Sequence, residues 1–444
     1  MVVWGVTREN TRLGTLLVEK TEAKPEGAAE SRGIAAALSV FRIRDYRFLW
    51  GAMFAASLVT WFRILGTSQW LLDATGSALA VGAIGVIQLV VQIPTLLWGG
   101  ALADRVDRKR LMAAAHGTTC VALLLLAGLN GAGLLSPLLV YAGIALTAAS
   151  QMLASPARSA LVPAVVPHPQ LLRANAVDTA SQNIAAIAGP LLFAALSLAA
   201  GLTVAFLVAA LLAAAAALLP GGISASGLAV PGSAGTPAGR APSTLALARE
   251  GLHYVRRHPI LPGLFLLDAG ITVASFYREI LPVLALGLFA GGASATGLLG
   301  AANSAGAIAG AVIAGLFAAY RAPGLLVLWA SLAYGVLLFG FGLATTLWFG
   351  ALMIGLLGAA DAVTVAVRQT TVMLTTPDHM RGRAFSLMVV AAQSANNIGT
   401  IWVGVWAAWI GAANTMVLGG VISIAATLVI ARVWAPIREY RSPD

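Results

Sequence analysis

The sequence predicts an all-α membrane protein with twelve transmembrane helices in two pseudo-symmetric six-helix bundles. Composition is the first reason: 59% of the 444 residues are hydrophobic and 10% are charged, against about 25% charged in a soluble domain. Mean hydropathy is +0.88. The second reason is patterning. Apolar stretches recur along the chain, each long enough to cross about 30 Å of hydrocarbon. The third is an internal repeat: with an offset of 215, Gly82, Gly85 and Gly100 meet Gly297, Gly300 and Gly315. With an offset of 210, Arg158, Pro167, Arg173 and Gly189 meet Arg368, Pro377, Arg383 and Gly399. Offsets held over whole segments imply two copies of one bundle.

Residues 1–45 mix Arg, Lys, Glu and Gly without an apolar core, so they read as a disordered tail and not as a signal peptide. The first bundle, 46–219, holds spans at 47–72, 79–103, 110–130, 135–156, 172–198 and 201–219. Residues 220–258 form a linker. Its 220–245 stretch of Gly, Ser, Pro and Ala is expected to be flexible. Its end, 245–258, reads as a short amphipathic helix lying on the membrane surface. The second bundle, 259–433, holds spans at 259–289, 295–319, 323–344, 347–375, 384–409 and 414–432. A basic tail, 434–444, closes the chain.

The turns after odd-numbered spans contain no Lys or Arg. The alternate loops hold Arg105, Arg108, Lys109, Arg110, Arg158, Arg173, Arg240, Arg249, Arg256, Arg257, Arg321, Arg381 and Arg383. This asymmetry puts those loops and both termini in the cytoplasm. The net charge of +10 is thus a topology signal and not a nucleic-acid footprint. Cys120 stands alone in an apolar run, so no intrachain disulfide is expected.

Between the second and third spans lies Gly100-Ala101-Leu102-Ala103-Asp104-Arg105-Val106-Asp107-Arg108-Lys109-Arg110. Asp104 can accept from exposed N–H groups at a neighbouring helix N-terminus, and the basic triplet stays at the headgroups. This loop resembles the one between helices 2 and 3 of major facilitator transporters. Further stretches extend the likeness over about 41–435. One is Ser155-Pro156-Ala157-Arg158-Ser159-Ala160-Leu161-Val162-Pro163, continuing through Leu172-Arg173-Ala174-Asn175-Ala176 to Gly189-Pro190. Another runs from Ala274-Ser275 through Arg278 to Pro282. The chain resembles the enterobactin-exporter and macrolide-efflux branch of that superfamily. Gly189-Pro190 resembles the antiporter motif of proton-coupled drug exporters, although Phe193 and Ala194 replace its later glycine pair. The resemblance implies export of a small molecule, a siderophore or a drug, driven by proton entry. It also implies a gating set of Gly100, Asp104, Arg105, Arg108, Arg158, Asp178, Arg368 and Arg383.

Charges inside the bilayer cost about 2.5–3.5 kcal/mol each on insertion scales, so each one matters. Arg63 lies about 22 Å along the first span and Arg278 about 27 Å along the seventh. They are 215 residues apart (278 − 63), hence symmetry mates. They suit an anionic ligand in a central cavity, with Glu279 or the ligand as the bridge between them; snorkelling to the headgroups, or an ion pair that only holds structure, is the alternative. Asp268 and Glu279 are 11 residues apart, which places both on one face of a continuous helix. With Asp361 they are the candidate proton carriers; a helix-end carboxylate at the outer interface for Glu279 and an inner-leaflet ion pair for Asp268 are the other readings. Asp361 also reads as a structural partner of Arg368, and Asp178 as a contact of Arg173 or the basic loops. His116 reads as a packing residue. The cavity candidates are completed by Gln88, Gln92, Gln151, Asn183, Asn303, Gln393 and Asn396, because amides in hydrocarbon must face protein or water.

No nucleotide-binding loop and no metal-ligand spacing occurs, so the chain reads as neither an enzyme nor an ATP-driven pump. No cofactor is expected. The expected partners are a small-molecule substrate, protons and the lipid bilayer; no nucleic acid is expected, and the chain is expected to act as a monomer in a bacterial cytoplasmic membrane. An importer, a lipid translocator or a non-transporting receptor of the same fold fits the same pattern.

Overall fold

In a computed structural model, residues 39–225, 244–317 and 320–441 are described. Every regular element among them is helical. In chain order these are α1 (Arg44–Thr75), α2 (Ala78–Arg105), α3 (Arg108–Gly131), α4 (Pro137–Val165), α5 (Leu171–Leu218), α6 (Thr244–Arg257), α7 (Leu261–Ser275), α8 (Leu281–Phe289), α9 (Ala293–Leu316), α10 (Pro323–Gly342), α11 (Leu347–Thr375), α12 (Asp378–Ile410), α13 (Ala412–Val433) and α14 (Ala435–Glu439). Among the described residues, nine helical segments are long and apolar enough to cross a membrane. The fold is an all-α, multi-pass membrane fold. Large exposed apolar side chains such as Leu138, Leu172, Leu211, Leu316, Trp348 and Trp409 fit it, since a bilayer would cover them.

The expected spans 172–198 and 201–219 meet inside α5. The chain turns at Gly201 (φ 79, ψ 173), a backbone region essentially reserved for glycine. The expected continuous span 259–289 is corrected. It breaks after Ser275, passes through a 3-10 turn at Arg278–Ile280 and resumes as α8. Pro282 accounts for the break, because its ring would clash with the carbonyl of Arg278 four residues earlier in an α-helix.

Asp107 caps α3, accepting from the N–H groups of Lys109 (2.8 Å) and Arg110 (3.4 Å). The side chains of Gly100–Arg105 lie outside the described residues, so the bridging role expected of Asp104 is not tested by the geometry. The start of the linker is anchored: Lys109 Nζ donates to the Ile223 carbonyl (3.0 Å), and Asp45 Oδ2 accepts from the N–H groups of Ser224 (2.9 Å) and Ala225 (2.8 Å). Residues 226–243 lie outside the described residues. The amphipathic helix α6 docks on α12, where Glu250 pairs with Arg383 at 2.6 Å and Val255 joins a cluster with Leu261, Val372, Ala384 and Met388.

Candidate functional site

One end of the helix assembly carries the basic loops and the other the uncharged turns. At the uncharged end the two halves meet through small residues. A Cβ on Gly82 of α2 would sit 2.8 Å from Gly404 Cα of α12, and one on Gly297 of α9 would run into Ala194 and Pro190 of α5. These two contacts are copies of each other, since Gly82 and Gly297 differ by 215 and Ala194 and Gly404 by 210. A polar tie crosses there as well, Thr296 Oγ1 donating to Gln69 Oε1 (3.3 Å); farther in, where the smaller chamber begins, Asn397 Nδ2 donates to Gln92 Oε1 (2.8 Å).

Toward the basic end the same helices part around a cavity of two adjoining chambers, about 470 and 310 Å³. Asn183 of α5 and Ser304 of α9 face the larger one from opposite halves. Thr60, Arg63, Gln151, Ser155 and Arg278 line both. Asn183 and Asn303 line the larger chamber, with His116 and Arg158. Gln88, Gln92, Gln393 and Asn396 line the smaller one, with Asn397 and Glu279. The nine arginine and amide positions singled out in the sequence therefore surround one cavity. Both arginines face it, so snorkelling to lipid does not describe them.

The carboxyls are arranged differently from expectation. The break before Pro282 voids the shared face of Asp268 and Glu279. Asp268 forms an ion pair with Arg368, so the expected Asp361–Arg368 pair is replaced. Asp361 lies within electrostatic reach of Arg278, Arg368 and Asp268. Glu279 lines the smaller chamber, and its Oε1 accepts from Gln88 Nε2 at 2.8 Å. The charge it faces is Arg63. Glu279 does not bridge the two arginines: it lies within electrostatic reach of Arg63, and Arg278 lies within reach of Asp361. Arg63 and Glu279 are both buried, where water is scarce and each charge needs the other, while Arg278 is exposed.

Among the expected gating residues, Arg158 pairs with Asp178 (2.8 Å), which also accepts from Gln182 (2.9 Å). Asp178 thus turns to Arg158 and not to Arg173, whose guanidinium reaches Ser39. Arg383 holds the linker helix through Glu250. Arg108 opens α3, next to its cap. Two tyrosines escaped the sequence reading. Asn303 Nδ2 donates to Tyr277 Oη, and Ser275 Oγ lies 2.9 Å from Tyr334 Oη. Their hydroxyls inside apolar runs were the available signal, because a buried phenol needs a partner. Asn303 is the repeat mate of Gln88 (303 − 88 = 215), so the two halves place an amide at matching points beside Tyr277 and Glu279.

A family model described as transmembrane secretion effector matches residues 35–442. The chain belongs to that family, within the major facilitator superfamily. It is similar to the enterobactin exporter EntS of Citrobacter koseri, 27% identical over 378 residues that cover 83% of each chain. The enterobactin exporter EntS of Escherichia coli O81 is 28% identical over 318 residues, 70% of this chain and 72% of the exporter. Among solved structures, a mutant of the nucleoside transporter NupG superposes with a TM-score of 0.72 at 13% identity, covering 87% of this chain and 98% of that one. A bacterial homolog of the human lysosomal transporter Spinster, inward-facing and unoccupied, superposes with a TM-score of 0.68 at 14% identity, covering 90% and 99%. At such identities the two structures speak for the fold alone. Family and fold together make this chain a membrane transporter that moves a small molecule across the bilayer.

Proposed function

We propose that the protein exports a small amphipathic or anionic molecule, a siderophore or a drug, from the bacterial cytoplasm by proton antiport. On this reading twelve spans form two six-helix bundles that rock about the cavity, with the basic loops and both termini in the cytoplasm. The sealed uncharged end and the cavity toward the basic loops then correspond to an inward-facing state. The supporting observation is the cavity wall, where Arg63 and Arg278 of opposite halves face one space together with a ring of amides. Guanidinium groups recognise oxyanions, and amides orient a polar head. Asp268, Glu279 and Asp361 supply the titratable groups that exchange requires. The relatives named as enterobactin exporters support export as the direction.

The test uses inside-out membrane vesicles with an imposed pH gradient, and enterobactin and a macrolide as probes. Export appears as accumulation that a protonophore abolishes. Asp268→Asn, Glu279→Gln and Asp361→Asn are then introduced singly and together. One of the single variants should bind probe yet fail to accumulate it. Gradient-driven accumulation by the triple variant would refute antiport. Accumulation in right-side-out vesicles alone would mark an importer, and binding without flux a receptor.

A further inference from the structure

We infer that Glu279 is an internal stand-in for the acid group of the ligand: its carboxylate occupies an oxyanion subsite in the smaller chamber, and an acidic head group binds by replacing it beside Arg63. The inference rests on the proposed small-molecule cavity and specifies how one part of it works.

The subsite is built from buried polar groups. Arg63 is 6% exposed, Glu279 7%, Gln92 5% and Asn397 8%, and all four line the chamber of about 310 Å³. Arg278 lines it too, from an exposed position. The wall thus offers two guanidinium groups and one carboxylate. That carboxylate is only half satisfied: Oε1 accepts from Gln88, while Oε2 is buried with no hydrogen-bond partner. A buried acceptor left unfilled costs about 1–3 kcal/mol. A carboxylate head has the same charge and shape as the Glu279 side chain and a sulfonate head the same charge, but either is free to settle between Arg63 and Arg278 and to take donors from the amides. Planar or tripodal oxyanions suit the guanidinium fork.

The exchange has a mechanical side. Arg63 and Gln88 belong to the first half and Glu279 to the second, so the Gln88–Glu279 bond is a tie between halves near the sealed end. The neighbouring Gln92–Asn397 bond is another, and both of its partners also line the chamber. A head group that replaces Glu279 therefore weakens the seal in the act of binding. Occupancy and opening become one event, and the empty protein is held shut by its own carboxylate.

The probes are naphthalene-2-sulfonate, ionised at every usable pH, and neutral naphthalene-2-sulfonamide, with equilibrium binding measured on the full-length protein in detergent. Glu279→Gln keeps an acceptor for Gln88 but cannot compete for Arg63. It should tighten sulfonate binding about tenfold and give no such gain for the sulfonamide. Arg63→Gln should weaken sulfonate binding, and Arg63→Gln/Glu279→Gln should bind no better than Arg63→Gln alone. Unchanged or weaker sulfonate binding in Glu279→Gln overturns the inference. So does an equal gain in the Arg63→Gln background, which would mean a diffuse field effect. Should Glu279→Gln fail to fold, Gln92→Cys/Asn397→Cys in a Cys120→Ser background gives a second reading. Sulfonate should slow disulfide formation between the pair and sulfonamide should not; equal rates with both probes overturn the inference. None of these measurements uses an ion gradient, so they stand whether or not gradient-driven flux is found.

Discussion

Gly82→Ala places one methyl group in the seal between the halves. The new Cβ would lie 2.8 Å from Gly404 Cα and 3.2 Å from the Thr400 carbonyl oxygen. Carbon atoms prefer a separation of about 3.5–4.0 Å, so α2 and α12 must part by roughly 1 Å. Both obstacles are backbone, which cannot rotate away. Inserting a methyl into such a contact costs about 1–3 kcal/mol. In a rocking transporter that strain falls on the state sealed at the uncharged end and is relieved in the opposite state. At about 1.4 kcal/mol per factor of ten, the equilibrium moves about 5- to 150-fold toward opening at this end. A reporter is at hand in Gln69, which meets Thr296 across the same seal. In a Cys120→Ser background, Gln69→Cys should react with a membrane-impermeant maleimide several-fold faster when Gly82→Ala is added. Gly128→Ala, where a Cβ meets nothing within 4 Å, is the control and should leave the rate unchanged. An unchanged labelling rate together with a lowered melting temperature would refute the reasoning, since the strain would then reside in the fold and not in the seal.

Two further outcomes follow from named contacts. Asp268→Asn strips Arg368 of its carboxylate partner inside the protein, and breaking such a pair costs about 3–5 kcal/mol; a thermal melt in detergent should show a clear drop, larger than for Asp178→Asn at the more exposed Arg158. His258 Nδ1 accepts from the N–H groups of Ile260 (3.2 Å) and Leu261 (3.3 Å), and burial holds its imidazole below the ordinary range while a backbone hydrogen bond with Thr375 works the other way. A depressed folded value means the cap's contribution is fully present above about pH 6.5 and is lost as pH falls through that lower value. Hydrogen exchange should therefore show α6 and the start of α7 losing protection between neutral and acid pH in the wild type, with no such loss in His258→Asn.

The membrane class and the repeat were legible because both are written in long, redundant patterns. Arg63 and Arg278 could be paired from their offset alone, and the amides could be assigned inward because hydrocarbon offers them nothing. Partner choice was less legible. Asp268 and Glu279 share one face only if the helix is continuous, and Pro282, visible in the sequence, forbids that continuity. Arg158–Asp178 joins two helices, and no spacing rule reaches across a loop. Arg383 entered the gating set through the family resemblance, yet it faces Glu250 of the linker helix. Tyr277 and Tyr334 were hidden by the apolar runs around them.

The repeat also separates shape from charge. The glycine seals, both arginines and the Gln88–Asn303 amides occur in each half. The carboxyls do not: the counterparts of Asp268, Glu279 and Asp361 are Met53, Ile64 and Gln151. A chain built from two copies of the first half would keep the shape and the paired positive charges and lack these three acids. Any engineered replacement of the second half by a copy of the first should therefore preserve the architecture and lose its charge balance.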